Sequence, residues 1–240
     1  MKQFTFQHKE KHGVQSKLLG SIREIVFGLE DSLVSTIGVV AGIAAGTGDQ
    51  KIVILSGTVL VVVEALSMAA GSFLSSQSHH RLLLKKIREE ELEIEEKPQE
   101  ERDELRQMYK LRGFSDQEVD MIVSRITKNK KVWLQEMIEK ELGIHLPDEE
   151  TPLLAGVVMG IAYILGGLVP ISPFLFFPTS TALIISFVAT VIGLFILGVW
   201  SASVTGDKKL RNGVEMMLIS TGAAILGYGI GKLVGMLFGI

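Results

Sequence analysis

An all-α, polytopic membrane protein is the fold class this sequence predicts, and two observations carry it. The first is segregation. Of 240 residues 47% are hydrophobic and 21% charged, yet nearly all of the charge falls in residues 1–24, 77–150 and 207–215. The second is length. The remainder forms five apolar segments, Ile25–Gly46, Ile52–Leu74, Leu153–Ile171, Phe174–Trp200 and Val214–Ile240. Each is near or above the roughly 20 residues that cross a hydrocarbon core at about 1.5 Å per residue. The expected organisation is an N-terminal segment 1–24, transmembrane helices one and two within 25–77, an acidic helical domain at 78–150, and transmembrane helices three to five within 151–240.

Composition closes off several functions. The absence of cysteine excludes disulfides, thiolate metal sites and redox dithiols, so any metal must be held by carboxylate, Met, His or backbone. The net charge of −3 averages two environments. Basic residues interleaved with acids, without aromatic platforms, give nucleic-acid binding no support. The polar N-terminus has no apolar h-region before residue 25, so no cleaved signal peptide is expected.

Span one follows Lys2, Lys9, Lys11, Lys17 and Arg23, whereas the loop Thr47–Lys51 carries one cation. The 77–150 region then holds fourteen Lys and Arg, the Pro170–Pro173 turn none, and residues 207–212 hold Lys208, Lys209 and Arg211. The positive-inside tendency therefore puts the N-terminus and the acidic domain in the cytoplasm and the C-terminus outside or in a lumen. Within span one, Glu30 and Asp31 lie about 9 Å inside a helix starting near Arg23. A carboxylate there faces a partner or a wet cavity, or snorkels to the interface. Gly38, Gly42 and Gly46 form a small-xxx-small ridge, which favours close backbone packing either within one chain or between two.

Span two carries Glu64 near its middle and no Lys or Arg, so the partner of Glu64 is a proton, a cation or a polar group on another helix. Met68 is one turn on, either a packing residue or a second group in the same cavity. Nothing breaks the helix between span two and Pro98. His79 and His80, adjacent and about 100° apart on a helix, make a poor chelating pair.

The acidic domain opens with nine glutamates and one aspartate between Glu89 and Glu104. Their mutual repulsion is offset by an apolar face, interleaved cations or a bound cation. Pro98 ends one helix and starts the next. Each helix carries a Glu-x-x-Glu pair on one face, Glu90/Glu93 and Glu101/Glu104, so folding back brings four carboxylates together. Gly113 ends the second helix and Ser115-Asp-Gln-Glu118 is a capping box for a third. A fourth, Lys131 to Leu142, stops at Gly143 and puts Met137 and Glu141 on one face. By itself the charge run also reads as a solvated face. The Glu-x-x-His pair of carboxylate di-iron proteins is absent, which counts against an oxidase. In the last ninety residues Pro170 and Pro173 predict a tight outer turn, Pro178 the first turn of span four, and repeated glycines a packing role for span five.

Taken together, several stretches resemble the vacuolar iron transporters. They are Gly28-Leu-Glu-Asp-Ser-Leu, Ala65-Leu-Ser-Met-Ala-Ala-Gly71, Tyr109-x-x-x-Gly113, Trp133-Leu-x-x-Met137 with Glu141-Leu-Gly143, and Ala162-Tyr-x-Leu-Gly-Gly-x-x-Pro170. The resemblance covers nearly the whole chain. It implies five spans, a homodimer in the bilayer, and proton-coupled antiport of Fe²⁺ or Mn²⁺ out of the cytoplasm, with no permanently bound cofactor and no enzymatic reaction. It further implies Glu90, Glu93, Glu101, Glu104, Met137 and Glu141 as metal ligands, and Asp31 and Met68 on the translocation pathway. Where the plant-type pattern has its span-two glutamate this chain has Leu60, and Glu64, one turn on, is the candidate replacement. The competing readings are a membrane-anchored metal-dependent oxidase and a metal sensor built on the acidic domain.

Overall fold

The computed structural model describes residues 21–141, 152–218, 221, 222 and 225. The N-terminal segment to residue 20, the Leu142–Gly143 helix end and most of span five lie outside them. Among the described residues the secondary structure is helical, without strands. The helices are α1 (Ile22–Thr47), α2 (Gln50–Glu96), α3 (Pro98–Leu111), α4 (Asp116–Ile126), α5 (Lys130–Lys140), α6 (Pro152–Ile171), α7 (Pro173–Phe176) and α8 (Thr179–Thr205), followed by helical residues 209–218. The chain divides into two compact units, residues 1–74 with 150–240, and residues 75–149.

In the first unit four helices are long and apolar enough to cross a membrane: α1, α2, α6 and α8. They correspond to spans one to four, and the fifth span rests on residues mostly beyond the described ones. Helix ends differ from the hydropathy limits because hydropathy marks hydrocarbon length and not where hydrogen bonding stops. The correction is largest around the prolines. Pro170 lies inside α6 and no tight turn forms there. Span four begins at Thr179, after Pro178, and Phe174 belongs to the separate short helix α7. A hydroxyl makes the Pro173 position tolerable in an apolar setting. Ser172 Oγ donates to the Val169 carbonyl at 3.0 Å, the group that Pro173 has no N–H to satisfy, and Ser186 Oγ donates to the Pro170 carbonyl at 2.6 Å.

Glycines set how closely these helices approach. A Cβ on Gly166 of α6 would stand 2.8 Å from the Leu29 carbonyl oxygen and 3.0 Å from Ser32 Cβ on α1. One on Gly156 would stand 2.7 Å from the Ala69 carbonyl oxygen of α2. Small residues here replace the hydrophobic driving force that lipid removes between spans. The ridge Gly38, Gly42 and Gly46 behaves differently: a Cβ at any of the three meets nothing within 4 Å. Gly166→Ala is therefore expected to lower the thermal midpoint in detergent. Overpacking against a backbone oxygen costs about 1–3 kcal/mol and exceeds the gain in helix propensity of about 1 kcal/mol. Gly42→Ala, which gains only propensity, should leave the midpoint unchanged or raise it. A Gly166→Ala midpoint equal to wild type would show that α1 and α6 can separate freely.

The second unit has its own core. Ile94 of α2, Leu105 of α3, Val119 and Val123 of α4, and Trp133 and Met137 of α5 form one buried cluster. Local chemistry fixes its turns as the sequence predicts. Lys97 alone separates the end of α2 from Pro98. Gly113 takes φ +89°, a conformation that favours glycine. Glu118 accepts from Ser115 N at 2.9 Å and Ser115 Oγ at 2.7 Å at the start of α4. The fourth helix begins one residue earlier than the sequence suggests, because Asn129 caps it there, accepting from Lys131 N and Val132 N, and its last helical residue is Lys140. Glu141 then follows directly.

Candidate metal site

Three predicted ligands come together in the second unit. Glu90, Glu101 and Glu141 each offer a carboxylate oxygen, and these oxygens lie within 4.8 Å of one another. The helical register explains why these acids are selected from so dense a run. Each lies one turn from a side chain of the apolar cluster: Glu90 from Ile94, Glu101 from Leu105 and Glu141 from Met137. Glu93 and Glu104 sit one residue before Ile94 and Leu105, about 100° round the helix, and are exposed. They stay within electrostatic reach of the three. Met137 is fully buried in the cluster.

The site is short of positive charge. Glu90 and Glu101 are 2% and 5% exposed, and Glu90 Oε1 and Glu101 Oε2 are buried with no hydrogen-bond partner. The acids that do hold cations are the outward-facing ones. Lys130 pairs with Glu91 and Glu95, Lys85 with Glu89, Lys97 with Glu100, and Arg106 with Asp103 and Asp120. Among the described residues no lysine or arginine pairs with Glu90, Glu101 or Glu141.

Protonation fills the deficit. Burial, then the charges of Glu141, Glu101 and Glu93, push the Glu90 carboxyl up to about 8. Burial, then Glu104, Glu141 and Glu93, push Glu101 up to about 7, and a hydrogen bond from Glu90 works in the opposite direction. Glu141, more open to water, is also raised, by partial burial of its carboxyl and then by Glu104 and Glu93. The pair therefore shares a proton near neutrality, which a divalent cation would displace. Hard oxygen donors suit Fe²⁺, Mn²⁺ or Co²⁺ better than Cu⁺.

The raised values carry a sign. A carboxyl near 4.5 in the unfolded chain and near 8 in the fold binds its proton more tightly when folded. Its contribution is greatest below the unfolded value and is lost as pH rises through the folded one. The metal-free protein is thus expected to lose thermal midpoint between about pH 5 and 8, relative to a Glu90→Gln variant. Saturating Mn²⁺ should flatten that loss, and Mn²⁺ affinity should rise over the same window as protons cease to compete. Differential scanning fluorimetry of both proteins, with and without Mn²⁺, checks this; parallel midpoint curves would remove the shared proton.

The pathway candidates lie in the first unit. Asp31 on α1 and Glu64 on α2 are partly buried, and the Glu64 charge lies within electrostatic reach of Asp31. Both act on Tyr163 of α6, whose hydroxyl lies 2.9 Å from Ser35 Oγ and whose carbonyl accepts from Ser32 Oγ. Met68, half-buried, is one turn beyond Glu64. Glu30 lines a separate cavity of about 310 Å³ with Ser201, Asn212, Glu215 and Met216. Tyr163 carries no site signal in the sequence, because its place in an apolar helix has no charge or spacing pattern.

The sequence profile of the VIT family matches residues 22–232. The chain is 30% identical over 228 residues to vacuolar iron transporter 1 of Arabidopsis thaliana, covering 95% of this chain and 90% of that protein. It is 28% identical to vacuolar iron transporter 2 of Oryza sativa subsp. japonica, over 95% of this chain and 92% of the relative. It is also 28% identical to the vacuolar iron transporter of Toxoplasma gondii, over 99% and 82% respectively.

Proposed function

Because the chain belongs to the VIT family, we propose that it is a membrane transporter that exports Fe²⁺, with Mn²⁺ as a second cargo, from the cytoplasm in exchange for protons. The observation that carries this reading is the convergence of Glu90, Glu101 and Glu141, two of them buried with unpartnered oxygens. The printed names of the relatives supply iron as the first cargo to test. In this reading residues 78–150 form a cytoplasmic collecting domain, where Glu93, Glu104 and Met137 complete the ligand set. Asp31, Glu64 and Met68 then pass the ion through the spans, with the C-terminus outside or luminal.

Proton exchange has a local rationale at the Glu90–Glu101 pair, which shares a proton when the ion is gone and loses it when the ion binds. A homodimer is proposed because the Gly38, Gly42 and Gly46 ridge is open among the described residues, as a face for close helix packing must be. An oxidase or sensor anchored in the membrane has no use for two interacting intramembrane carboxylates, which favours transport.

The test is uptake into liposomes containing the purified protein, with Fe²⁺ or Mn²⁺ outside and an acidic interior. Metal should accumulate, and collapsing the proton gradient should slow it. Metal binding without accumulation would turn the reading towards a sensor; accumulation indifferent to the gradient would remove proton coupling.

A further inference from the structure

Glu141 reaches the other two carboxylates from α5, and the apolar cluster alone does not fix where along its axis that helix stops. Apolar contacts are non-directional, so a directional contact is needed to hold a carboxylate oxygen within 4.8 Å of two others. One exists between α3 and α5. Tyr109 Oη donates to Glu136 Oε1 at 2.7 Å, and both side chains are partly buried.

Besides the shared apolar cluster and the Arg102 guanidinium 5.4 Å over the Trp133 ring, the two helices approach at Tyr109 with Glu136 and at Glu101 with Glu141. Tyr109 follows Glu101 while Glu136 precedes Glu141, so the helices run antiparallel. On α3 the points are eight residues, about 12 Å, apart, and on α5 five residues, about 7.5 Å. We infer that Tyr109 is a positioning residue for the metal site, clamping α5 through Glu136 so that Glu141 is held against Glu90 and Glu101. This rests on reading those three carboxylates as the metal-loading site.

The clamp is itself braced. Phe114 packs edge-on against the Tyr109 ring, with centroids 5.6 Å apart, and the Arg112 guanidinium lies 5.7 Å over the same ring. The turn at Gly113 makes both contacts possible: Gly113 N donates to the Lys110 carbonyl and Phe114 N to the Tyr109 carbonyl. Burial and the Glu136 contact push the phenol up to about 12, so it remains a donor throughout the neutral range. Glu136 is spent on this bond.

The experiment is Mn²⁺ binding by the full-length protein in detergent, followed by calorimetry and by the Mn²⁺ electron paramagnetic resonance line width. Tyr109→Phe keeps the ring and its packing but removes the donor. It should weaken binding about tenfold, the lower end for loss of a group that orients a ligand. The line width should change, with the number of ions bound unaltered. Glu136→Gln keeps an acceptor and should bind within about threefold of wild type, whereas Glu136→Leu should match the tenfold loss of Tyr109→Phe. The double variant Tyr109→Phe/Glu136→Leu should be no weaker than either single variant, because both remove one contact.

Wild-type affinity and line width in Tyr109→Phe would overturn the inference. So would equal losses in Glu136→Gln and Glu136→Leu, which would make Glu136 a charge acting at a distance, or additive losses in the double variant. Since none of these measurements involves transport, failure of export leaves the clamp standing. Wild-type protein that binds no Mn²⁺ would instead remove the metal-loading site itself.

Discussion

Asp31→Asn is expected to stop metal accumulation in liposomes while leaving Mn²⁺ binding by the detergent-solubilised protein unchanged. Asp31 lies on α1 between Gly28, packed against Ala162 and Met159 of α6, and Ser32, bonded to the Tyr163 carbonyl. Asparagine preserves this packing and removes only the charge. An ion shedding water among spans needs a fixed counter-charge. Losing one worth about 2.5–3 kcal/mol at that depth corresponds to roughly a hundredfold lower rate. Glu64→Gln, which keeps the shape but cannot ionise, should also slow transport, on the order of tenfold, and flatten its dependence on the proton gradient. Glu64→Leu combined with Leu60→Glu returns a carboxylate one turn earlier on nearly the same face and should recover part of the rate. Transport by Asp31→Asn at the wild-type rate would show that the ion does not pass Asp31.

The complementary result is expected from Glu90→Gln/Glu101→Gln. Two buried, mutually close carboxylates become neutral amides, so the unpartnered oxygens and the shared proton no longer define a cation site. High-affinity Mn²⁺ binding should fall by at least about a hundredfold, since replacing a ligand costs more than the 10–100-fold of a supporting contact. The metal-free variant should melt higher than wild type at pH 8, where wild type buries carboxylates whose values are raised to about 8 and about 7. Loss of binding with loss of stability would instead mean that the pair supports the fold. Uptake should fall most at low external metal, where collection limits the rate.

Some of this was legible in residue order. The break at Pro98, the cap at Ser115 to Glu118 and the turn at Gly113 depend on chemistry within a few residues, and each forms as the sequence predicts. The approach of Glu90 to Glu101 follows from the same break. What spacing alone blurred was the distinction within each Glu-x-x-Glu pair. It is resolved by the neighbouring Ile94 and Leu105, which bury Glu90 and Glu101 and leave Glu93 and Glu104 outside. The Tyr109–Glu136 bond has no local signature, since it joins residues 27 positions apart. Pro170 reads as a helix end in the sequence, yet it lies inside α6, one residue before the helix stops at Ile171, where the ring costs a single hydrogen bond in the last turn.

If the three carboxylates load metal as proposed, their unequal burial would order events in time. Glu141 is open to solvent while Glu90 and Glu101 are enclosed, so an arriving ion meets Glu141 with its water shell intact and reaches the other two only by surrendering it. The first encounter is thus an outer-sphere one that any divalent ion can make, and the second a dehydration step. Mg²⁺ parts with its waters reluctantly, so it would be held at the rim and lost again, whereas ions that exchange water readily would go on to the enclosed pair. Discrimination against Mg²⁺ would then reside in the speed of entry and not only in the choice of donor atoms.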